Sequence, residues 1–263
     1  KLKIVKCHMR FLHALLVAML LVFPQANMLA SNEPFYKNID YSNIDLIGIV
    51  KNKGKGEYKI RTVQPLSINE DSGDTIFIQG MIGNFDQFGK YRIGTNLGLG
   101  FRNFSNDNTR MYGYNLFYDS EPDPGHHRLG LGLELKQARF GISNNYYKGL
   151  TGKKTYGASG MEEEVLDGVD IIVSGLIPRF EWIETDLSYA YWDSVASSDL
   201  YEIKLGLNFS LNDYLTMKLE AEDDNKSSVS YNAGISINFG GKKSNKVSLF
   251  GSNQNIVEEN MRA

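Results

Sequence analysis

Ser228-Val229-Ser230-Tyr231-Asn232-Ala233-Gly234-Ile235-Ser236-Ile237-Asn238-Phe239 alternates polar and apolar side chains along its length. A strand has a side-chain period of two. Val229, Tyr231, Ala233, Ile235, Ile237 and Phe239 therefore share one apolar face, and the serines, asparagines and Gly234 share a wet one. The same pattern recurs upstream. Tyr91, Ile93, Leu97, Leu99 and Phe101 oppose Arg92, Gly94, Asn96, Gly98, Gly100 and Arg102. Leu129, Leu131, Leu133 and Leu135 oppose Arg128, Gly130, Gly132, Glu134 and Lys136. Tyr201, Ile203, Leu205, Leu207 and Phe209 oppose Glu202, Lys204, Gly206 and Asn208, while Leu215, Met217, Leu219 and Ala221 oppose Thr216, Lys218, Glu220 and Glu222.

No helical periodicity of useful length interrupts this series. The alternation predicts twelve strands at 43–51, 57–66, 75–84, 90–103, 110–118, 126–136, 138–148, 167–177, 182–193, 199–210, 213–223 and 227–239. Most have the length that a tilted strand needs to cross a bilayer. In the clean strands the apolar face carries no charge, and a Lys or Arg facing lipid at mid-bilayer would cost about 2–4 kcal/mol. The predicted fold is all-β: a closed twelve-stranded antiparallel transmembrane outer-membrane β-barrel, with its apolar face in the lipid bilayer. The eighth strand fits less well, because Ile172 and Leu176 fall on its wet side.

The 263-residue chain carries a formal charge of -3, which gives no case for nucleic acid as a partner. Fifteen tyrosines and fourteen phenylalanines suit the aromatic girdles of a barrel. Lys1, Lys3, Lys6 and Arg10 precede the apolar run Phe11–Phe23, which Pro24 ends, and Ala30-Ser31 offers a small-residue cleavage point. The run is short beside the ~20 residues of a spanning helix. Residues 1–30 therefore read as a signal peptide, with Met9 an alternative start, and 31–42 as a periplasmic lead-in. Cys7 lies in the leader, which leaves no thiol in the mature chain. No cofactor or metal motif is present, and the glycines of Gly94, Gly98 and Gly100 lack the following helix of a phosphate loop.

With the N-terminus in the periplasm, the short connections near Gln137, Pro178–Glu181 and Leu211-Asn212 lie inside, and the acidic, Gly-rich 149–166 lies outside. Short inner turns and long outer loops are the rule for such barrels. The segment 67–74 is longer than an inner turn should be. In this register Arg92, Arg102, Arg128, Glu134, Lys136, Arg139, Asp170, Asp186, Glu202, Lys204, Lys218 and Glu220 point into the lumen. They either solvate the wall or hold a segment inside it. His126-His127 beside Asp123 could suggest an enzyme, but alternation sends adjacent histidines to opposite faces, so no catalytic site is assigned.

Several separated motifs carry a resemblance. Asn96-Leu97-Gly98-Leu99-Gly100-Phe101-Arg102-Asn103-Phe104, Met111-Tyr112-Gly113-Tyr114-Asn115-Leu116-Phe117-Tyr118-Asp119 and His127-Arg128-Leu129-Gly130-Leu131-Gly132 stand in order. Gly175-Leu176-Ile177-Pro178, Leu205-Gly206-Leu207-Asn208-Phe209 and Leu249-Phe250-Gly251-Ser252 follow. Over about 43–263 the chain is similar to the translocator domain of the inverse autotransporters, the intimin and invasin adhesins.

The resemblance implies a barrel, 43–239, in the outer membrane of a Gram-negative bacterium, exporting a C-terminal passenger adhesin by type V secretion. A linker, 240–263, would turn back through the pore, with Asn253, Gln254, Asn255, Glu258, Glu259 and Asn260 against the lumen wall. Fully extended it reaches ~80 Å at ~3.3 Å per residue, ample for a ~30 Å hydrocarbon core. The segment after Phe239 holds no domain, so the passenger is expected to be absent or truncated here, and a host-cell receptor enters only through it. Tyr231, Gly234, Ile237 and Phe239 fit a terminal signal for the barrel-assembly machinery, with periplasmic chaperones as earlier partners. A passenger-free channel or structural porin-like protein is the alternative.

Overall fold

A computed structural model describes residues 42–240, except 88, 108, 124, 138, 157–160 and 195–197, together with the backbone of Val257–Glu259. The expected leader, nearly all of the lead-in, and Asn253, Gln254, Asn255 and Asn260 lie outside the described residues.

The wall strands are β1 (Asn43–Lys51), β2 (Glu57–Ile68), β3 (Thr75–Gln87), β4 (Lys90–Phe104), β5 (Met111–Glu121), β6 (His126–Gln137) and β7 (Phe140–Gly149). After two short strands, β8 (Lys154–Tyr156) and β9 (Met161–Val165), come β10 (Asp167–Ile177), β11 (Phe180–Asp193), β12 (Leu200–Ser210), β13 (Leu215–Asp224) and β14 (Ser230–Phe239). A last short strand, β15, is Val257–Glu259. The ring runs β1-β14-β13-β12-β11-β10-β7-β6-β5-β4-β3-β2, and β15-β9-β8 form a separate small sheet. All wall pairs are antiparallel, and the ring closes in register from Ile44↔Phe239 to Lys51↔Asn232. The expected twelve-stranded barrel is therefore the observed one.

Both ends of the wall are defined by this closure. β1 begins and β14 ends at one rim, with the β2–β3, β4–β5, β6–β7, β10–β11 and β12–β13 connections. The opposite rim holds the β1–β2, β3–β4, β5–β6, β7–β10, β11–β12 and β13–β14 connections, of which β7–β10 is the longest. The long connection identifies the second rim as the outer one.

Alternation sets the two faces. Outward side chains such as Leu97, Leu99, Leu116, Leu131 and Ile235 are exposed, because the face that lipid covers is bare in the isolated chain. Their inward neighbours Asn96, Asn115, Phe117 and Arg128 are buried. Leu176, on the expected wet face of β10, is buried within the ring. The segment 69–74 is a built turn. Asn69 Oδ1 accepts from Asp71 N at 2.9 Å and Ser72 N at 3.2 Å, and Gly73, at φ 77°, donates to Asn69 O at 2.7 Å. The sequence reading ended the second strand early. In the structure β2 continues past Pro65 by a register shift that leaves Leu66 unpaired, the bulge a proline in a strand calls for.

Inside the ring, large side chains lie flat over glycines of the neighbouring strand. Phe77 faces Gly100, Phe117 faces Gly130 and Trp192 faces Gly168 in register. A Cβ added at these glycines would meet ring carbons at 2.1, 1.9 and 2.3 Å. The glycines thus make room for lumen rings, a packing device known for sheets. Gly130→Val should lower stability by about 1–3 kcal/mol through overpacking. Gly48→Ala on the lipid face, with nothing within 4 Å, should change it little. Urea unfolding in detergent, followed by heat-modifiable gel mobility, reads both.

A charged lumen as the candidate functional site

The inner face of the wall carries a chain of polar contacts from strand to strand. Gln79 Nε2 donates to Asn96 Oδ1 at 3.2 Å, and Asn96 Nδ2 donates to Asp119 Oδ1 at 2.6 Å. Arg128 Nε and Nη2 donate to Asp119 Oδ2 at 3.0 and 2.8 Å. The Arg128 guanidinium lies 4.1 Å from the Tyr147 ring centroid and 5.3 Å from that of Trp192. Tyr147 OH then donates to Asp170 Oδ2 at 2.7 Å, and Asn145 Nδ2 donates to Asp170 Oδ1 at 2.8 Å. This belt ties β3, β4, β5, β6, β7 and β10. Burying an unpaired charge is expensive, so each buried ion here meets an opposite charge, a ring face or a hydrogen-bond donor.

A second set continues around the wall. Lys218 Nζ lies 3.2 Å from Asp186 and 2.9 Å from Glu220. Lys204 Nζ lies 2.9 Å from Glu202 and 3.7 Å from Glu222. Asn232 Nδ2 donates to Glu220 at 3.1 Å, and Arg61 Nη2 pairs with Asp45 at 2.8 Å. Nearer the inner rim, Arg102 stacks on Phe77 with its centre 4.2 Å from the ring, and Glu134 stands between Arg102 and Lys136 at 3.5 and 3.6 Å.

The two halves differ in exposure. Arg102 and Arg128 side chains are fully buried, whereas Lys218 keeps 40% and Arg61 27% of its side-chain surface. One side of the lumen, β3 to β7 and β10, is packed shut. The more open side lies along β12, β13, β14, β1 and β2, where Lys204, Lys218 and Arg61 keep solvent contact, although Glu202, Asp45 and Asn238 are buried.

Of the residues expected in the lumen, Arg92, Arg102, Arg128, Glu134, Lys136, Asp170, Asp186, Glu202, Lys204, Lys218 and Glu220 stand on the inner face. Arg139 does not. β6 stops at Gln137 and β7 begins at Phe140, so Arg139 sits in the turn and pairs with Glu181 at the inner rim. Along β14, Tyr231, Ile237 and Phe239 are exposed on the lipid side, and Gly234 pairs with Ile49 on one side and Lys218 on the other.

His126 and His127 part as alternation requires. His126 is buried inside, with Nδ1 3.2 Å from Thr151 Oγ1 and Nε2 4.0 Å from Glu163. His127 faces outward, where its Nδ1 meets Tyr118 OH at 2.7 Å. Among the described residues no group of three metal-capable side chains converges.

Asp119, Glu121, Tyr147, Trp192 and Glu163 were missed by reading the sequence. The first two follow the point, 118, where the fifth strand was expected to stop; it runs to Glu121. Glu163 belongs to a segment expected to be an outer loop, yet its side chain is fully buried, with Arg92 Nη1 donating to it at 2.6 Å. Arg128→Met should cost about 3–5 kcal/mol, because it strands the Asp119 carboxylate in the wall. Adding Asp119→Asn should recover part of that loss in a double-mutant cycle of detergent unfolding.

A family profile described as inverse autotransporter, beta-domain, matches residues 31–258. Intimin of Citrobacter freundii is 31% identical over 139 residues, covering 49% of this chain and 15% of the relative. Intimin of Escherichia coli O111:H- is 34% identical over 108 residues, covering 40% of this chain and 11% of the relative. The chain therefore spans only a small part of the curated relatives it matches. A membrane protein solved in a study of in-meso crystallization superposes with a TM-score of 0.71 at 20% identity, over 83% of this chain and 99% of that one. An outer-membrane channel from Pseudomonas putida F1 gives 0.53 at 9% identity, over 76% and 96%. These structural likenesses concern the fold alone. Because the family profile runs across every strand of the wall, the chain belongs to the inverse autotransporter β-domain family, an outer-membrane β-barrel of a Gram-negative bacterium.

Proposed function

We propose that this barrel is the conduit through which polypeptide C-terminal to it reaches the cell surface. The observation that carries the reading is the position of the two ends of the tail. β14 ends at the inner rim with Phe239, and β15, Val257–Glu259, pairs with β9 in the long outer connection. In this reading residues 240–256 join the two rims. At ~3.3 Å per residue they reach ~55 Å, enough for the ~30 Å core. A route through lipid would strip water from Lys242, Lys243, Asn245, Lys246 and the backbone. A route through the lumen meets the paired charges of the open half, Lys204, Lys218, Glu220 and Arg61. A wall of alternating signs tolerates many sequences, as a conduit must.

In this reading residues 1–30 direct export to the periplasm, 31–42 lead into the barrel, and 240–263 act as the pore linker with Asn253, Gln254, Asn255, Glu258, Glu259 and Asn260. Tyr231, Gly234, Ile237 and Phe239 of the closing strand are the contact for the barrel-assembly machinery, after periplasmic chaperones. Adhesion to a host receptor belongs to exported cargo, since the wall itself presents lipid-facing side chains. Folding of the cargo outside supplies the drive, without nucleotide.

A reporter fused after Ala263 should reach the surface of intact cells. A reporter that stays protected from added protease overturns the proposal. The open half of the lumen also favours a second reading, a plain channel. Planar-bilayer conductance should rise when residues 240–263 are deleted, and unchanged conductance removes the linker from the pore.

A further inference from the structure

We propose that the edge of β9 opposite β8 is a binding site for an extended polypeptide strand, built into the outer mouth and held in position by Arg92. The inference rests on the export reading and adds the place where outgoing chain is gripped.

The β8–β9 hairpin is too short to be stable alone: its register runs only from Lys154↔Glu163 to Tyr156↔Met161. The wall holds it. Glu163 is fully buried, and both Nη groups of Arg92 donate to its carboxylate, one at 2.6 Å. Arg92 Nη1 is also 3.5 Å from Glu121. Glu164 Oε1 accepts from Ser194 Oγ at 3.3 Å, Lys154 Nζ donates to Gly125 O, and Leu150 N donates to His127 O at 2.9 Å. Leu166, the next residue after β9, is buried against Phe117, Tyr147 and Trp192. Glu163 and Glu164 of β9 are thus buried, while Glu162 stays exposed.

One backbone edge of β9 takes β8. The other would be left unpaired in a mouth where Glu163 and Glu164 are buried, and unpaired buried backbone is costly. That edge is taken by Val257–Glu259, in the register Val257↔Val165, Glu258↔Glu164 and Glu259↔Glu163. Strand addition draws affinity from main-chain hydrogen bonds, so it reads shape rather than sequence. The ligand class is any extended segment without proline at the pairing positions. Arg92 is a positioning residue: it touches Glu163, and β9 in turn pairs with Val257–Glu259.

The test uses the full chain in outer membranes with Cys7→Ser. Cysteines replacing Glu164 and Glu258 stand opposite each other, within reach of a disulfide. They should cross-link on mild oxidation, while Glu162→Cys with Glu258→Cys should not. Arg92→Gln should lower the yield several-fold, and so should Val257→Pro, whereas Glu70→Gln, in the exposed 69–74 turn, should leave it unchanged. If Arg92→Gln fails to fold, Glu163→Gln serves in its place and should lower the yield likewise.

No cross-link at 164/258 while a reporter after Ala263 reaches the surface overturns the seat and leaves export standing. A cross-link with a protected reporter keeps the seat and removes export. An unchanged yield in Arg92→Gln, or in Glu163→Gln, overturns the positioning role.

Discussion

Backbone hydrogen bonding in hydrocarbon constrains this protein before anything else. Lipid offers no partner to a peptide N–H or C=O, so a sheet that enters it must close on itself. Here the closing contact is β1 on β14, from Ile44↔Phe239 to Lys51↔Asn232. Once the ring is shut, alternation has only one consistent solution: Leu and Ile outward, Arg, Asp and Asn inward. A one-residue slip in any strand would put guanidinium groups into lipid. The tolerance of the fold for an ordinary average hydropathy follows from this, since only every second wall residue needs to be apolar.

Closing the ring creates a second constraint. The inner face of a twelve-stranded barrel is too narrow to hydrate every polar side chain fully, so charge must be met by charge. On the β3–β7 and β10 side the response is dense: Asp119 takes Arg128 and Asn96, and Asp170 takes Tyr147 and Asn145. Glycines on adjacent strands give these groups and the rings of Phe77, Phe117 and Trp192 their room. On the β12–β2 side the pairs are as close, but their cations are partly solvated. This asymmetry gives the lumen a buried flank, which stiffens the wall, and a flank whose cations keep solvent contact.

The outer mouth joins the two themes. A connection that is hydrophilic by composition turns inward because one buried guanidinium, Arg92, can hold a carboxylate from it. The hairpin so fixed offers a backbone edge at the level where the chain's last described strand arrives. Barrel, charged wall and docking strand are the surfaces that the proposed export route would use.

Nearly all of the wall was legible in the sequence, because period-two alternation is local and each strand declares its two faces without reference to its neighbours. Strand ends were less legible. The fifth strand was expected to stop at 118, yet Asp119 and Glu121 continue it, since their partners Arg128 and Arg92 lie on other strands. Arg139 was assigned to the lumen because alternation alone does not say where a two-residue turn begins. Fold class, strand count and the sorting of residues between lipid and lumen were therefore determined by the sequence itself. Which lumen charges pair, which half stays open and whether an acidic loop turns inward were decided only by closure, which brings together side chains as far apart as Arg92 and Glu163.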